Sequence, residues 1–186
     1  LTRTRVAEAN ETDPPAFTET WTTNANGPKV FRGLVPGKYE LKETKAPDGY
    51  VLNTEPITFW VQADGTITDK ETNGTVITGN LVTMSNTKNQ LTVAKIDETG
   101  AALNADSMKE LELTITDITD ANAKAIVLTA ANKENAGYTY DEQSGIWTLT
   151  GKLVQGHTYK LEETKVPYGY CTAKPIVFTM GTNGKI

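Results

Sequence analysis

Short runs of alternating apolar and polar residues fill most of this chain, and glycine turn signals bound many of them: Asn26-Gly27, Pro36-Gly37, Asp64-Gly65, Asn73-Gly74, Ser144-Gly145 and Asn183-Gly184. Between the turns, residues 29–34, 38–44, 57–62, 75–79, 81–86, 91–97, 111–118, 125–130, 146–151, 158–164 and 175–180 read as short strands. Few stretches hold a 3.6-residue period. The pattern therefore predicts an all-β chain.

One pattern occurs twice. Residues 39–50 read YELKETKAPDGY and residues 159–170 read YKLEETKVPYGY, and the match extends across residues 33–67 and 152–186. Repetition on this scale marks two copies of one folding unit. It predicts two tandem β-sandwich domains, 1–88 and 89–186. The first copy continues past its Asp64-Gly65 turn, whereas the second stops just after Asn183-Gly184. Residues 1–5 align best with 111–118, leaving 89–110 without a counterpart. The first domain is thus expected to lack its first strand and the second its last.

Composition narrows the function. Of the 186 residues, 38% are hydrophobic and 22% charged, and 31 are threonine, which favours β-structure. No apolar run approaches the roughly 18 residues that span a membrane. A net charge of −5 without a cationic stripe argues against nucleic acid or an anionic membrane as partner. One cysteine and one histidine leave no metal-ligand set and no internal disulfide, so neither a metal nor a cofactor is expected. His157 aligns with Gly37 and reads as a surface residue. Cys171 reads as a buried, unreactive thiol. A turnover enzyme is disfavoured because no nucleophile, base and orienting group assemble by spacing.

The alternation also picks out ionisable residues in the apolar phase. Side chains of a strand alternate between faces, so Tyr39, Leu41 and Glu43 share one side, as do Tyr159, Leu161 and Glu163. Leu91 and Val93 share theirs with Lys95, and Val82 and Met84 share theirs with Asn86. A carboxylate or ammonium in a core phase needs a partner, because burying it alone is costly. The plain alternatives are a strand-end carboxylate reaching solvent, a snorkelling lysine and an ordinary turn asparagine.

The repeated box Tyr-x-Leu-x-Glu-Thr-x-(Ala/Val)-Pro-x-Gly-Tyr resembles the E-box of CnaB-type, Ig-like domains from Gram-positive pilins and cell-wall-anchored adhesins. The resemblance implies a spontaneous isopeptide bond between a lysine of the first strand and an asparagine or aspartate of the last, assisted by the box glutamate. Carried onto this chain, it implies Glu43 and Glu163 as helper carboxyls, Lys95 as the amine donor of the second domain, and Asn86 as the acceptor of the first. The missing partners are expected outside these 186 residues. An amine attacks a carboxamide only when neutral, which apolar surroundings favour. A protonated carboxyl polarises the carbonyl and relays protons, and the fold supplies proximity. The implied role is a stalk or pilus-subunit segment on the cell wall and a sortase substrate, its partners neighbouring domains or subunits. The alternative is a tip module that binds a host matrix or cell-surface ligand through the long segments 7–21 and 131–145.

Overall fold

The computed structural model describes residues 1–4, 16–131 and 137–186. The chain divides into two compact units, one built from Leu1–Thr44 and Asn53–Ser85, the other from Lys45–Leu52 and Asn86–Ile186.

Unit 1 is a five-stranded antiparallel sheet. Its strands are β1 (Thr2–Thr4), β2 (Phe17–Thr18), β3 (Gly37–Leu41), β4 (Ile57–Val61) and β5 (Ile67–Thr68), in the order β2-β1-β3-β4-β5. Alternation decides which face is apolar. Tyr39, Phe59 and Val61 are buried and Trp21, Phe31, Leu34, Ile77 and Val82 pack against them, so irregular chain rather than a second ladder covers this sheet. Tyr39 and Phe59 sit opposite each other in the register and stack with centroids 5.4 Å apart. Such a pair adds about 0.5–1.5 kcal/mol beyond its buried area.

Three expected strands of this half form no ladder. Residues 29–34 are interrupted at Gly33, whose φ of +67° breaks an extended run. Val76 makes a single bridge to Thr68, and a 3-10 turn at Thr78–Asn80 follows, with Gly79 and Asn80 at positive φ. Residues 81–86 keep their alternation, with Val82, Met84 and Asn86 the more buried set, but have no ladder partner among the described residues.

Unit 2 is a two-sheet sandwich. One sheet orders β6 (Gln90–Ala94), β10 (Ile146–Thr150) and β9 (Tyr138–Asp141) as β6-β10-β9. The other orders β7 (Glu112–Asp117), β8 (Ile126–Thr129), β11 (Thr158–Lys165) and β12 (Ile176–Thr179) as β12-β11-β7-β8. Inward residues at period two close the core: Leu91 and Val93, Leu113 and Ile115, Trp147 and Leu149, with Tyr159, Phe178 and Met180. Tyr159 and Phe178 stack at 5.6 Å, reproducing the Tyr39–Phe59 pair. The repeat read from sequence is thus a repeat of packing.

A helix, α1 (Ala105–Glu110), departs from the all-strand expectation. Asn104 caps it by accepting the Ser107 N–H at 2.9 Å, and its one buried side chain is Met108. At six residues it is too short to show a period in sequence; its signal is the cap. Among the described residues no helix is long and apolar enough to cross a membrane.

Candidate functional site

The strand phases set out the site. Leu91 and Val93 of β6 face the core, and Lys95, one residue past the strand, continues on their side. Glu163 lies near the end of β11, where the register against β7 shifts between Glu163 and Lys165. The two side chains come from opposite sheets and meet: Lys95 Nζ is 2.8 Å from Glu163 Oε1, with side-chain exposures of 17% and 4%. The carboxylate is anchored from behind, its Oε2 accepting the backbone N–H of Ala173. Oε1 is out of contact with solvent and accepts no aligned hydrogen bond, so the lysine holds it by charge alone.

A cleft of about 80 Å³ opens beside this pair, lined by Val93, Leu113, Leu161 and Ile176 together with Lys95 and Glu163. Its walls are apolar and its polar end is the ion pair. A side-chain amide or carboxyl entering there would meet an amine nucleophile and a carboxyl able to relay protons.

In unit 1 the box glutamate repeats the anchoring. Glu43 is half-buried, and its Oε2 accepts the Asn53 N–H at 2.7 Å, as Glu163 accepts that of Ala173. Asn86 is half-buried in unit 2 and its Nδ2 donates to the Val51 carbonyl at 3.1 Å. Asn183 sits in a hairpin turn, its Oδ1 accepting the Lys185 N–H, just as Asp64 accepts that of Thr66. Of the four site residues read from sequence, Lys95 and Glu163 meet. Of segments 7–21 and 131–145, residues 7–15 and 132–136 lie outside the described residues.

His157 and Cys171 depart from expectation. The His157 side chain is 27% exposed, and its Nδ1 is 2.7 Å from Oδ2 of the buried Asp117. Burial opposes ionisation of Asp117, but hydrogen bonds from His157 and from the Asp120 and Thr119 N–H groups outweigh it and hold the carboxyl below its ordinary range. Asp117 continues the buried phase of Leu113 and Ile115, a signal the sequence did contain. Unit 1 fills the equivalent place with buried Arg3, paired to Tyr39 as Asp117 is to Tyr159. The opposite glycine makes room, since a Cβ on Gly37 would lie 2.9 Å from Arg3 Nε. Cys171 is exposed rather than buried. Residues 168–177 around it are exposed, whereas its counterpart Val51 is half-buried in unit 2.

The model of the SpaA prealbumin-like fold domain matches residues 4–75 and again residues 89–186. The chain belongs to the SpaA prealbumin-like fold domain family. Both boxes lie within these two SpaA matches, so the tandem is two SpaA domains. Among solved structures, two of a C-terminal fragment of the pilus adhesin SpaC from Lactobacillus rhamnosus GG are similar. They are 24% and 23% identical, with TM-scores of 0.43 and 0.44, and each is matched over 83% of this chain. The longer SpaC chain is 25% identical with a TM-score of 0.39 over 82% of this chain. The chain spans 66% and 64% of the two fragments and 20% of the longer one. No curated protein matches.

Proposed function

We infer that these SpaA domains form a structural segment of a Gram-positive surface protein, a pilus subunit or adhesin stalk of CnaB type, locked by self-formed isopeptide bonds. The observation that carries this reading is the Lys95–Glu163 pair, joined across the two sheets of unit 2 beside an apolar cleft. The acceptor is an asparagine or aspartate on a strand laid along the open edge of β6, which among the described residues pairs with β10 alone.

The reaction balances within the protein. Passage of one proton from Lys95 to Glu163 within the pair leaves a neutral amine and a protonated carboxyl; Nζ then attacks the acceptor's side-chain carbonyl carbon while the Glu163 carboxyl hydrogen-bonds the carbonyl oxygen. The proton shed by the amine passes through Glu163 to the departing amide nitrogen. A C–N bond forms, the old C–N bond breaks, and ammonia leaves; an aspartate acceptor releases water. Proximity and a low-dielectric site supply the acceleration, and each domain reacts once. In unit 1, Glu43 is the helper.

The product suits a stalk. A bond from Lys95 to the Asn86 position of a strand following β12 closes a loop of about 110 residues, worth about 4–5 kcal/mol of chain entropy. Tension then passes through the bond, and the sandwich between cannot lengthen. Cell-wall attachment by sortase and neighbouring domains or subunits as partners belong to the same reading. Single-molecule stretching of the chain extended after Ile186 by its own residues 68–88, which supply Asn86 as acceptor, tests it. Unit 2 is expected to withhold roughly 370 Å of contour length, about 110 residues at about 3.4 Å each. Full extension of unit 2 would overturn the reading.

A further inference from the structure

The two Pro-x-Gly-Tyr loops share a conformation and differ in their surroundings. Gly49 and Gly169 have φ of +83° and +86°, and the Tyr50 and Tyr170 N–H groups bond back to Pro47 and Pro167 at 3.1 and 3.2 Å. Residues 46–52 belong to unit 2, with Ala46 and Gly49 buried and Tyr50, Val51 and Leu52 half-buried. The Gly49 carbonyl accepts the Asn89 N–H at 2.9 Å and the Tyr50 carbonyl accepts Gln155 Nε2. The Val51 N–H donates to Thr87 O at 2.7 Å and the Leu52 N–H to Thr182 O at 3.2 Å. Close approach requires a glycine, because a Cβ on Gly49 would stand 2.5 Å from the Gly151 carbonyl. Asn89 holds the receiving turn: 2% exposed, it donates to Leu153 O and its own carbonyl accepts the Gly151 N–H.

Residues 166–172 keep every element this enclosure reads: the proline, the glycine, the tyrosine and the turn. Among the described residues, the carbonyls of Gly169 and Tyr170 and the N–H groups of Cys171 and Thr172 have no hydrogen-bond partner. Gly169 to Thr172 are exposed, Tyr168 is 96% exposed, and Gly49 is buried. We propose that residues 166–172 are a docking element for a further SpaA-type sandwich, which clasps them as residues 86–89, 151–155 and 182 clasp 46–52. The partner presents an asparagine at the start of its first strand and a glycine in the turn facing it. Recognition runs through main-chain groups, so the changes from Asp48 to Tyr168 and from Val51 to Cys171 leave it intact. The inference rests on the repeat and the SpaA match and is independent of any cross-link.

Cys171 is the native reporter. In the 186-residue chain it should react with a maleimide as an exposed thiol does, whereas the thiol of a Val51→Cys, Cys171→Ser chain should react at least about tenfold more slowly, as for a site that must open first. Continuing the chain after Ile186 with residues 68–186 repeated, the second Cys171 replaced by Ser, supplies the further sandwich in the same order. Labelling of the first Cys171 should then also fall about tenfold, and Gly169→Val should restore it. Unchanged labelling beside an added sandwich that shows exchange protection in its Trp147 strand would overturn the proposal. Should that sandwich fail to fold, the Val51→Cys comparison still decides, because a thiol there as reactive as Cys171 would remove the enclosure on which the proposal stands. Protection of Cys171 that grows with the concentration of the 186-residue chain alone would also overturn it, because the receiving turn of that chain already holds its own residues 46–52 and a second copy would have to cover the loop by another surface.

Discussion

Replacing Glu163 by Leu in the 186-residue chain separates a structural ion pair from two coincident side chains. Its carboxylate is 4% exposed and neutralises Lys95, whose own side chain is 17% exposed. Removing one member of a fully buried pair costs about 3–5 kcal/mol, and the residual exposure of Lys95 lowers this to about 2–4. The Ala173 N–H also loses its acceptor, but Ala173 is exposed and water replaces that bond at little cost. Lys95→Met strands the carboxylate instead, with a similar loss. The double variant strands neither and fills the space with apolar atoms, so it should fall within about 1 kcal/mol of the parent. The coupling between the sites, the sum of the two single losses less that of the double, is then at least about 3 kcal/mol. Denaturant unfolding followed by Trp147, which is fully buried in β10, reads this out in a background where Trp21 and Trp60 are Phe. Each single variant should lower the Tm of unit 2 by about 10–25 °C. Single effects that add to within about 0.5 kcal/mol would refute the pairing.

Two further outcomes follow from unit 2. Because the Asp117 carboxyl is held below its ordinary range in the fold, its contribution is present above the unfolded value of about 4 and lost as pH falls through the folded value. Asp117→Asn should therefore cost about 1–3 kcal/mol at pH 7 and progressively less towards pH 2 in a Tm series; a constant cost would contradict this. Asn104→Ala removes the α1 cap and should cost about 1 kcal/mol by urea unfolding, whereas Asn104→Asp should retain most of it.

The alternation of apolar residues carried the architecture, since Leu91, Val93 and Lys95 do share a side, as do Tyr159 and the phase leading to Glu163. Lys95 and Glu163 were legible because an ionisable residue in an apolar phase is itself a signal. Asp117 carries the same signal in the buried phase of Leu113 and Ile115, but alignment with Gly37 makes its partner His157 read as a surface residue. That alignment hid an exchange of two residues at once, Arg3 over Gly37 in one copy for Asp117 with His157 in the other. Residues 81–86 alternate without ladder pairing because alternation reports which side is buried, not whether a neighbouring strand is there to bond. The contrast between Val51 and Cys171 had no sequence signal at all, since both follow the same Gly-Tyr and only the surrounding chain differs.

The central claim is that Lys95 and Glu163 are the donor and helper of a self-formed amide bond, and intact mass tests it most directly. The chain extended after Ile186 by its own residues 68–88 should weigh about 17 Da less than its sequence, the mass of the one ammonia released as the new amide forms. The deficit should vanish in Lys95→Met and in Glu163→Ala, and in the parent a fragment joining Lys95 to the added copy of Asn86 should survive proteolysis. A full sequence mass in folded protein, with Lys95 recovered unmodified, would contradict the account.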